Sequence, residues 1–526
     1  MAKTGKIEIL ELSSEEIPEL IKAVQENTLS DKFKEIILTL IKQMVDIKRT
    51  SKEKAAALKR IKRMLKHSTE KLDKTKEEKK YEPKKNHGRN GVEDYKFSNV
   101  VNYPDEERKV GEVCSSCAHG TLQQMEPRKI IRLVGQPIIT AELHRPERLR
   151  CSGCGEVFTA QMPEEVGGEK ATASANAMVA VLRYGMGVPH YRLASMQSAL
   201  GVPIPASTQY EMVEMLWTHV MPVYKELLHQ AANSPLFFID DTKATILSMI
   251  KGNEQRKADG ERCGIFTTGI VAQDAGRTIR LFFTGRNHAG ENIAELLSLR
   301  TDESKPMQMC DALSRNAPKD PKNPKDHLVR LLLCLVHARR NFFDCYEAFT
   351  DETTYVIEQI GLVYKNEKHT KENQMDPVQR LEYHKKHSEK IMNDIKAYSE
   401  EKIATKAVEP NSILGAAFAY FLKFWVGLTQ FLRIPGAPLD NNAGERLLKT
   451  MVTHRKNSLF FKTENGAMVG DVLMSLIQTA IAANISPFEY LTVLQNNSQH
   501  VAKNPQLWLP WNFHNMLKSV APPKTG

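Results

Sequence analysis

Three acidic residues, each in a different local context, constrain the fold of this chain most strongly. Asp240 closes a run of four apolar residues, and Asp311 follows a second short run that is mostly apolar. Runs of this kind are typical of β-strands, so both aspartates are expected at strand ends. Glu445 lies at the start of an expected helix over 443–453. Carboxylates that gather from two strands and a helix can hold a pair of divalent cations, an arrangement suited to in-line phosphoryl transfer.

The order of the expected elements around these acids indicates the class of fold. Before the chain turns helical, the sequence predicts β-type runs at 236–240, 264–273, 280–285 and 306–310. Residues 325–432 are interpreted as helical, so a long helical segment separates Asp311 from Glu445. This layout predicts an RNase H-like α/β catalytic core with a large all-α insertion before its last catalytic helix.

The charge of the chain is unevenly distributed. Lys and Arg number 73 against 63 Asp and Glu, a formal net charge of +10, and residues 41–90 hold 18 basic against 7 acidic residues. A local positive field attracts phosphate, so Lys59, Arg60, Lys62 and Arg63 in this segment are candidate DNA contacts. Solubility alone is the other interpretation of the overall excess of positive charge.

The distribution of apolar residues excludes two classes of protein. No uncharged apolar stretch of about 18 residues is present, so no membrane span is expected. The first residues lack the apolar core of a secretion signal. An intracellular location is therefore expected, in which the eight cysteines are thiols or metal ligands rather than disulfides.

Residues 1–73 are predicted to be helical, with a seam of residues that recur at alternating steps of four and three. Nine of the twelve seam positions are apolar, and the seam consists of Phe33, Ile37, Leu40, Met44, Ile47, Ser51, Lys54, Leu58, Ile61, Leu65, Ser68 and Leu72. This spacing is typical of a coiled coil, which would pair two copies of the chain. An amphipathic helix packed on its own domain is the alternative. Residues 74–109 are interpreted as a linker.

Two Cys-x-x-Cys pairs lie in the segment 110–160. Each pair can present two thiolates from a tight turn, and together they complete a tetrahedral zinc site of Cys114, Cys117, Cys151 and Cys154. The zinc would be structural, because four cysteine ligands leave no open position. Two strands are expected between the pairs, at 130–134 and 137–143. Redox or unrelated thiols are the alternative interpretation.

Residues 161–233 are interpreted as a group of helices. Candidate helices span 173–183 and 189–200, and a third begins after an expected N-cap at 205–208. Three helices with a Gly-containing turn fit a helix-turn-helix-like module that binds DNA. A plain helical connector fits the same pattern.

Together these assignments predict a multidomain α+β protein in which a coiled coil and a zinc ribbon precede the RNase H-like core. The predicted segments are the coiled-coil and basic region 1–73, the linker 74–109, the zinc-binding domain 110–160, the helix-turn-helix-like region 161–233, the first part of the core 234–320, the helical insertion 321–435, the last part of the core 436–500 and the C-terminal tail 501–526.

Several motifs together are specific enough to indicate a family. They are Val-Pro-His-Tyr-Arg at 188–192, Asp-Asp-Thr at 240–242, Cys-Leu-Val-His-Ala-Arg-Arg-Asn-Phe-Phe at 334–343, Asp-Asn-Asn-Ala-Gly-Glu-Arg at 440–446, Arg-Lys-Asn-Ser-Leu-Phe at 455–460 and Trp-Leu-Pro-Trp at 508–511. With these motifs and the cysteine pairs, the chain resembles the TnpC-type DDE transposases of bacterial insertion sequence family sixty-six over about 110–515. It departs from the family pattern at Ser458, where Trp is common, at His454, where Gly is usual, and after Asp311, where Gly-Tyr is absent.

The resemblance implies an activity and its partners. Asp240, Asp311 and Glu445 would bind two Mg²⁺ or Mn²⁺ ions and catalyse cleavage at transposon DNA ends and strand transfer into target DNA. Double-stranded DNA is the implied partner, and joining two ends implies a homodimer or a higher homo-oligomer. Companion proteins encoded by the same element are further implied partners. The implied location is cytoplasmic and nucleoid-associated.

Other side chains near the motifs are candidates for supporting roles. The candidate DNA contacts are Arg339, Arg340, Arg446, Arg455 and Lys456. A solvated basic face is the alternative, since phosphate contacts and surface charge look alike in sequence. Cys334 and His337 are spaced for one helix face, but the sequence offers them no further metal ligand. They are interpreted as a structural pair, with a place near the site as the alternative for His337.

Alternatives remain for the acids and for the function. Asp241 is the rival of Asp240, although strand alternation would point it away from its neighbour. Asp302 and Asp320 are the rivals of Asp311. A catalytically inactive zinc-ribbon DNA-binding regulator and an RNase H-like structure-specific endonuclease are the alternative functions.

Overall fold

The computed structural model describes residues 169–318 and 327–520, together with short stretches and single residues between 100 and 163. Some of the predictions above lie outside the described residues: the coiled coil over 1–73 with Lys59, Arg60, Lys62 and Arg63, the cysteines Cys114, Cys117 and Cys151, and the rival acid Asp320. The chain divides into two compact units, one over 69–140 and the other over 1–68 and 141–526.

The described part of the smaller unit contains an isolated antiparallel bridge between Val113 and Thr121. Gly111 N donates to the carbonyl oxygen of Leu122 at 2.8 Å beside it.

A short hairpin lies in the larger unit. Arg148–Arg150 (β1) pairs antiparallel with Val157–Thr159 (β2), on either side of the second cysteine pair. The strand expected over 137–143 is not formed. Pro137 has no N–H to donate to a ladder, and Leu143 is 83% exposed although Ile139 is buried.

A mixed five-stranded sheet forms the centre of the larger unit. Its strands are Leu236–Lys243 (β3), Phe266–Asp274 (β4), Arg277–Gly285 (β5), Met307–Cys310 (β6) and Arg330–Leu333 (β7). Their order across the sheet is β5-β4-β3-β6-β7. The first three are antiparallel neighbours, whereas β6 runs parallel to β3, and β7 runs parallel to β6. The carboxyl ends of β3, β6 and β7 therefore meet at one edge.

The prediction that residues 325–432 are helical is wrong at its start, where Arg330–Leu333 form β7. The segment 328–336 is almost continuously apolar, and such a run does not distinguish a buried strand from a buried helix by its periodicity. Parallel pairing with β6 decides the outcome, and it buries Leu332 and Leu333. The sheet thus continues beyond the predicted boundary of the first core segment at 320.

The described part of the larger unit contains many helices besides this sheet, so its architecture is mixed α/β. The α-helices are Ala173–Ala180 (α1), His190–Ala199 (α2), Ala206–Ala232 (α3), Leu247–Lys251 (α4), Asn253–Ala258 (α5), Ala289–Leu297 (α6), Leu335–Asp344 (α7), Thr350–Glu372 (α8), Pro377–His387 (α9), Glu389–Ala404 (α10), Ile413–Lys423 (α11), Trp425–Leu428 (α12), Asn442–Ser458 (α13), Glu464–Ala482 (α14), Pro487–Asn496 (α15), Ser498–Lys503 (α16) and Phe513–Val520 (α17). Of the helices in this described part, none combines the length and apolar character needed to cross a membrane.

Helices cover both faces of the sheet. On one face α13 packs so closely on β4 that a Cβ at Gly269 would lie 3.0 Å from Leu448. Gly269 pairs with Asp240 across the strands, so Asp240 lies on the face that carries α13. On the other face α6 packs on β3 and β4, where Asn292 Nδ2 donates to Thr268 Oγ1 at 2.7 Å.

The helix α14 covers the edge strand β5. Three side chains one turn apart on α14 bond the outward backbone N–H groups of β5: Asp471 with Thr284 at 2.6 Å, Ser475 with Phe282 at 3.0 Å and Thr479 with Arg280 at 3.0 Å. An uncovered edge would leave these donors free to pair with another chain. The helix therefore closes this side of the sheet.

The three helices predicted over 172–232 are present as α1, α2 and α3. The buried apolar residues of α3 include Val213, Leu216, Val220, Val223 and Leu227, so this helix belongs to the core. The expected side-chain N-cap is not formed, because Pro205 occupies the cap position and makes no side-chain hydrogen bond. A helix-turn-helix role for this region stays a prediction.

The helices α7 to α12 form an insertion between β7 and α13. Aromatic packing builds part of its core, where the ring of Phe342 lies 5.3 Å from that of Phe418 and 6.2 Å from that of Phe421. The position of the insertion agrees with the predicted helical segment, although its first helix begins only at Leu335.

A buried ion cluster joins α8 and α9 to the loop before α13. Glu367 Oε2 accepts from Arg380 Nε at 2.8 Å and lies 3.0 Å from His384 Nε2. Arg380 Nη1 donates to the carbonyl oxygen of Ala437 at 2.8 Å. Burial alone would raise the pKa of Glu367, but the hydrogen bond from His384 and the charge of Arg380 outweigh it and lower the pKa to about 2.

Candidate active site

The carboxyl edge of the parallel strands aligns a row of side chains. The register of β3 and β6 places Asp240 and Asp311 at equivalent positions, each two residues beyond the last pair. The pairing of β6 with β7 continues this row to Cys334, whose N–H donates to the carbonyl oxygen of Cys310 at 3.0 Å. Strand register therefore makes the first two predicted acids neighbours.

The electrostatics of Asp240 show that the third acid is close as well. Burial raises the pKa of this half-buried carboxyl to about 7, and the charges of Asp311 and Glu445 contribute to the increase. A hydrogen bond from Asp241 N at 2.9 Å opposes it. The structure thus brings Asp240, Asp311 and Glu445 close enough for their charges to interact.

Asp311 is oriented by the turn that follows β6. Its Oδ1 accepts from Leu313 N at 3.2 Å and from Asn316 Nδ2. Asn316 is itself buried, and its carbonyl oxygen accepts from Gln308 Nε2 at 2.6 Å. The sequence alone does not identify Asn316, because no local pattern links it to the acid.

Glu445 is positioned by the start of α13, four residues after Asn441. The buried Asn441 side chain donates from Nδ2 to the carbonyl oxygen of Ile239 at 2.8 Å. Its backbone N–H donates to Cys334 Sγ at 3.3 Å. Helix α13 is thereby fixed to the residue that precedes Asp240 and to the end of β7. Sequence reasoning missed Asn441, although its place in the motif at 440–446 was an available signal.

A second group of metal-ligating side chains shares Glu445. His337 Nε2 lies 3.8 Å from Glu445 Oε1. One ligand atom of each of these residues and Cys334 Sγ all lie within 4.8 Å of one another. Burial raises the pKa of Cys334 to about 11. The expectation that Cys334 and His337 have no further potential ligand is therefore wrong, because the fold brings Glu445 to them. The alternative for His337, a place near the predicted site, agrees with this geometry.

Asp241 lies on the opposite face from Asp240. Its Oδ1 accepts from Thr268 Oγ1 at 2.6 Å, and its Oδ2 accepts from Ala289 N at 3.1 Å, at the start of α6. Its side chain is only 2% exposed, and His288 Nδ1 lies 3.7 Å from it. Asp241 thus links the sheet to α6 rather than facing the other acids.

The predicted basic contacts differ in their accessibility. Arg340, Arg446 and Lys456 are exposed, whereas Arg339 is partly buried near Tyr364. Arg455 is partly buried, and its Nη1 donates to Thr242 Oγ1 at 3.1 Å and to the carbonyl oxygen of Lys243. One nitrogen of its guanidinium is therefore engaged with the end of β3. A contact of Arg455 with DNA stays a prediction.

Of the four predicted zinc ligands, only Cys154 is described, and it is exposed. The zinc site stays a prediction.

Comparison with known proteins gives matches over the part of the chain that carries the three acids. The family model described as "Transposase IS66 family" matches residues 168–469, which is 302 of the 526 residues and includes all three acids. An uncharacterized protein of Sinorhizobium fredii, y4jD, is 25% identical over 380 residues, which cover 70% of this chain and 71% of the relative. Another from the same organism, y4qI, is 23% identical over 64% of this chain and 62% of its own length.

Proposed function

The chain belongs to the IS66 family of transposases, and from this membership we propose that it is a DDE transposase. In this proposal the protein cleaves DNA at transposon ends and joins the freed strands to target DNA, with Asp240, Asp311 and Glu445 as its catalytic residues. The family supports a transposase role and DNA as the partner.

The topology of the sheet supports an RNase H-like core. Three antiparallel strands are followed by two parallel strands on the other side of β3, with α6 between the two sets. The insertion of α7 to α12 precedes α13, which carries Glu445. This is the order of elements that the proposal requires: two acids on neighbouring strands and a third on a later helix.

The observation that carries the proposal is the convergence of three carboxylates from distant segments. The charges of Asp311 and Glu445 disfavour ionisation of Asp240, and three like charges at one buried edge need a counter-charge. Glu445 Oε1 is buried, and no residue in the described ranges hydrogen-bonds to it. A set of oxygen donors with these properties fits divalent cations such as Mg²⁺ or Mn²⁺.

When bound, two such cations would stabilise the charge on the attacking and leaving oxygens of an in-line phosphoryl transfer. The chain's own residues provide the geometry. Strand register sets the spacing of Asp240 and Asp311, while Asn316 and Leu313 orient the second of these. Asn441 anchors the helix that presents Glu445.

The exposed face of α13 supplies the complementary charge for DNA. Arg446, Lys449 and Lys456 are exposed along the same helix that carries Glu445. Basic side chains of this kind contact phosphate and position the duplex without reading its sequence. A homodimer or higher homo-oligomer, companion proteins and the structural zinc remain sequence-based proposals.

The test is a strand-transfer assay with the full-length protein, labelled duplexes of the element ends and Mg²⁺. We expect Asp240→Asn, Asp311→Asn and Glu445→Gln each to abolish cleavage while end binding, measured by gel shift, persists. Asp302→Asn is the matched control, because this exposed rival acid is paired with Arg300 at 2.8 Å before β6 begins. It should cleave like the wild type.

The products separate the alternatives. Cleavage with joining supports a transposase, cleavage without joining indicates an endonuclease, and binding without cleavage indicates a regulator. Strand transfer by Glu445→Gln at the wild-type rate would overturn the assignment of the third acid.

A further inference from the structure

The group formed by Cys334, His337 and Glu445 is not explained by the three-acid site. His337 Nε2 and Glu445 Oε1 are 3.8 Å apart, which is beyond hydrogen-bond distance. The two side chains therefore do not satisfy each other. Glu445 Oε1 and His337 Nδ1 are buried and lack hydrogen-bond partners among the residues that the structure describes.

Burial makes this lack of partners significant. A buried polar atom without a partner loses its hydrogen bonds to water without replacing them, and the resulting loss of stability is larger if the atom is charged. Native proteins satisfy most such atoms with protein groups, water or ions. The free oxygen of Glu445 faces a nitrogen and a sulfur donor, so a bound cation is one way to satisfy the group.

The distances are suitable for a single ion. Imidazole nitrogen and carboxylate oxygen bind metals at about 2.0–2.2 Å and sulfur at about 2.3 Å, so ligands of one ion at angles of about 90–120° are about 3.0–3.9 Å apart. The 3.8 Å between His337 Nε2 and Glu445 Oε1 lies within this range. The Cys334 sulfur lies within 4.8 Å of the other two ligand atoms, so a shift of its side chain by about 1 Å at most brings it into this range.

We propose that Cys334, His337 and Glu445 form a cation site whose sulfur and nitrogen donors favour a transition-metal dication over Mg²⁺. Mg²⁺ prefers an all-oxygen octahedron, whereas imidazole and sulfur donors favour transition metals such as Zn²⁺ or Fe²⁺. Mn²⁺, which oxygen ligands also bind, is the paramagnetic probe of the site. The proposal rests on the proposed function because it shares Glu445. Glu445 would then be shared by two cation positions. One has oxygen ligands beside Asp240 and Asp311, and the other has nitrogen and sulfur ligands beside His337.

The test is pulsed EPR of the full-length protein loaded with one equivalent of Mn²⁺. We expect wild-type protein to show modulation from a directly bound nitrogen, and this signal should persist in excess Mg²⁺. It should disappear in His337→Ala and in His337→Gln, which retains a polar side chain of similar length in case the alanine variant does not fold. His288→Ala is the matched control, since His288 also lies near an aspartate, 3.7 Å from Asp241, but on the opposite face.

Cys334→Ser tests the sulfur donor, because it replaces sulfur with oxygen at the same position. The variant should keep the nitrogen signal, because His337 is unchanged. Its preference for Zn²⁺ over Mg²⁺, measured as the ratio of dissociation constants, should fall by at least about tenfold, the lower limit when a metal site loses only an outer-shell partner.

Three outcomes overturn the proposal: wild-type protein that binds no Mn²⁺, bound Mn²⁺ without nitrogen modulation, or modulation that survives both His337 variants. Cleavage of end DNA with Mg²⁺ is scored in parallel. Cleavage without a nitrogen signal supports the proposed function and overturns this inference. A nitrogen signal that depends on His337, in protein that does not cleave, supports this inference and contradicts the proposed function.

Discussion

Asn441 donates a hydrogen bond from its side-chain amide to the carbonyl oxygen of Ile239, the residue before Asp240, at a distance of 2.8 Å. The two residues are 202 positions apart in the sequence. Because Asn441 precedes α13, this contact ties the helix that carries Glu445 to the strand that carries Asp240. One buried amide therefore couples the position of the third acid to that of the first.

We expect Asn441→Ala to destabilise the protein by about 1–3 kcal/mol, because it leaves the carbonyl oxygen of Ile239 buried and unpaired. The cleavage rate at saturating DNA should fall too, since Glu445 loses its anchor. Asn442→Ala is the matched control. Asn442 is exposed, and its backbone N–H, which alanine retains, donates to Asp440 Oδ1 at 3.1 Å. Equal losses of melting temperature and rate in both variants would contradict this role of Asn441.

Asp240→Asn is expected to raise the melting temperature of cation-free protein at pH 8. Burial and the charges of Asp311 and Glu445 raise the pKa of Asp240 from 3.8 to about 7. The folded state therefore favours the protonated form, and this contribution to stability is fully present below pH 3.8 and is lost as the pH rises through 7. At about 1.4 kcal/mol per pKa unit, the loss at pH 8 is at most about 4 kcal/mol.

The measurement is differential scanning fluorimetry of wild type and Asp240→Asn between pH 4 and pH 8, without divalent cations. The difference in melting temperature between the two proteins should grow with pH and level off above pH 7. Added Mg²⁺ should stabilise the wild type and have little effect on the variant. A difference that is independent of pH would argue against the electrostatic cause.

The first half of the strand that carries Asp240 could be predicted from sequence because its packing is simple, but the prediction that the strand ends at Asp240 is wrong. Phe237 and Ile239 are completely buried, and Phe238 is nearly so. A strand covered on both faces appears as a continuous apolar run, so the run 236–239 located the acid at its end. The observed strand continues to Lys243 because pairing with β4 provides partners for polar residues, and that pairing has no local signature.

The contacts around Glu445 could not be predicted in the same way. Cys334 and His337 lie near the end of β7 and in α7, which the sequence assigned to one helical segment, and Glu445 follows after the whole insertion. Nothing in the local sequence of either segment indicates that they meet. Their proximity depends on the parallel pairing of β6 with β7 and on the anchoring of α13 by Asn441.

Arg455 and Lys456 are adjacent basic residues, and the structure predicts that replacing each with alanine affects a different property. Arg455→Ala should lower the melting temperature, because its guanidinium bonds Thr242 Oγ1 and the carbonyl oxygen of Lys243. Lys456 is exposed, so Lys456→Ala should leave the melting temperature unchanged. It should instead reduce the slope of log affinity for DNA against log salt concentration by about 1. The two measurements are a thermal scan and a salt titration by fluorescence anisotropy. If Arg455→Ala changed only the salt slope, the structural role of Arg455 would be rejected.

The buried ion cluster of the insertion should hold in place the loop that leads to α13. Arg380→Gln removes the charge that pairs with Glu367 and weakens the bond to the carbonyl oxygen of Ala437. Breaking a buried pair destabilises a protein by about 3–5 kcal/mol, so a large fall in melting temperature is expected. The rate of cleavage should fall as well, since Ala437 lies only three residues before the motif at 440–446.

Lys371→Ala supplies the comparison within the same cluster. Its ammonium lies 3.0 Å from Glu367 Oε1, but its side chain is 71% exposed, and pairs that reach solvent contribute about 0–1 kcal/mol. This variant should therefore change neither melting temperature nor cleavage appreciably. Glu367→Gln combined with Arg380→Met should be less unstable than Arg380→Gln alone, because it removes both buried charges together. If the double variant were the less stable of the two, the charge pairing of Arg380 with Glu367 would not be the source of the effect, and the hydrogen bond to Ala437 would have to carry it.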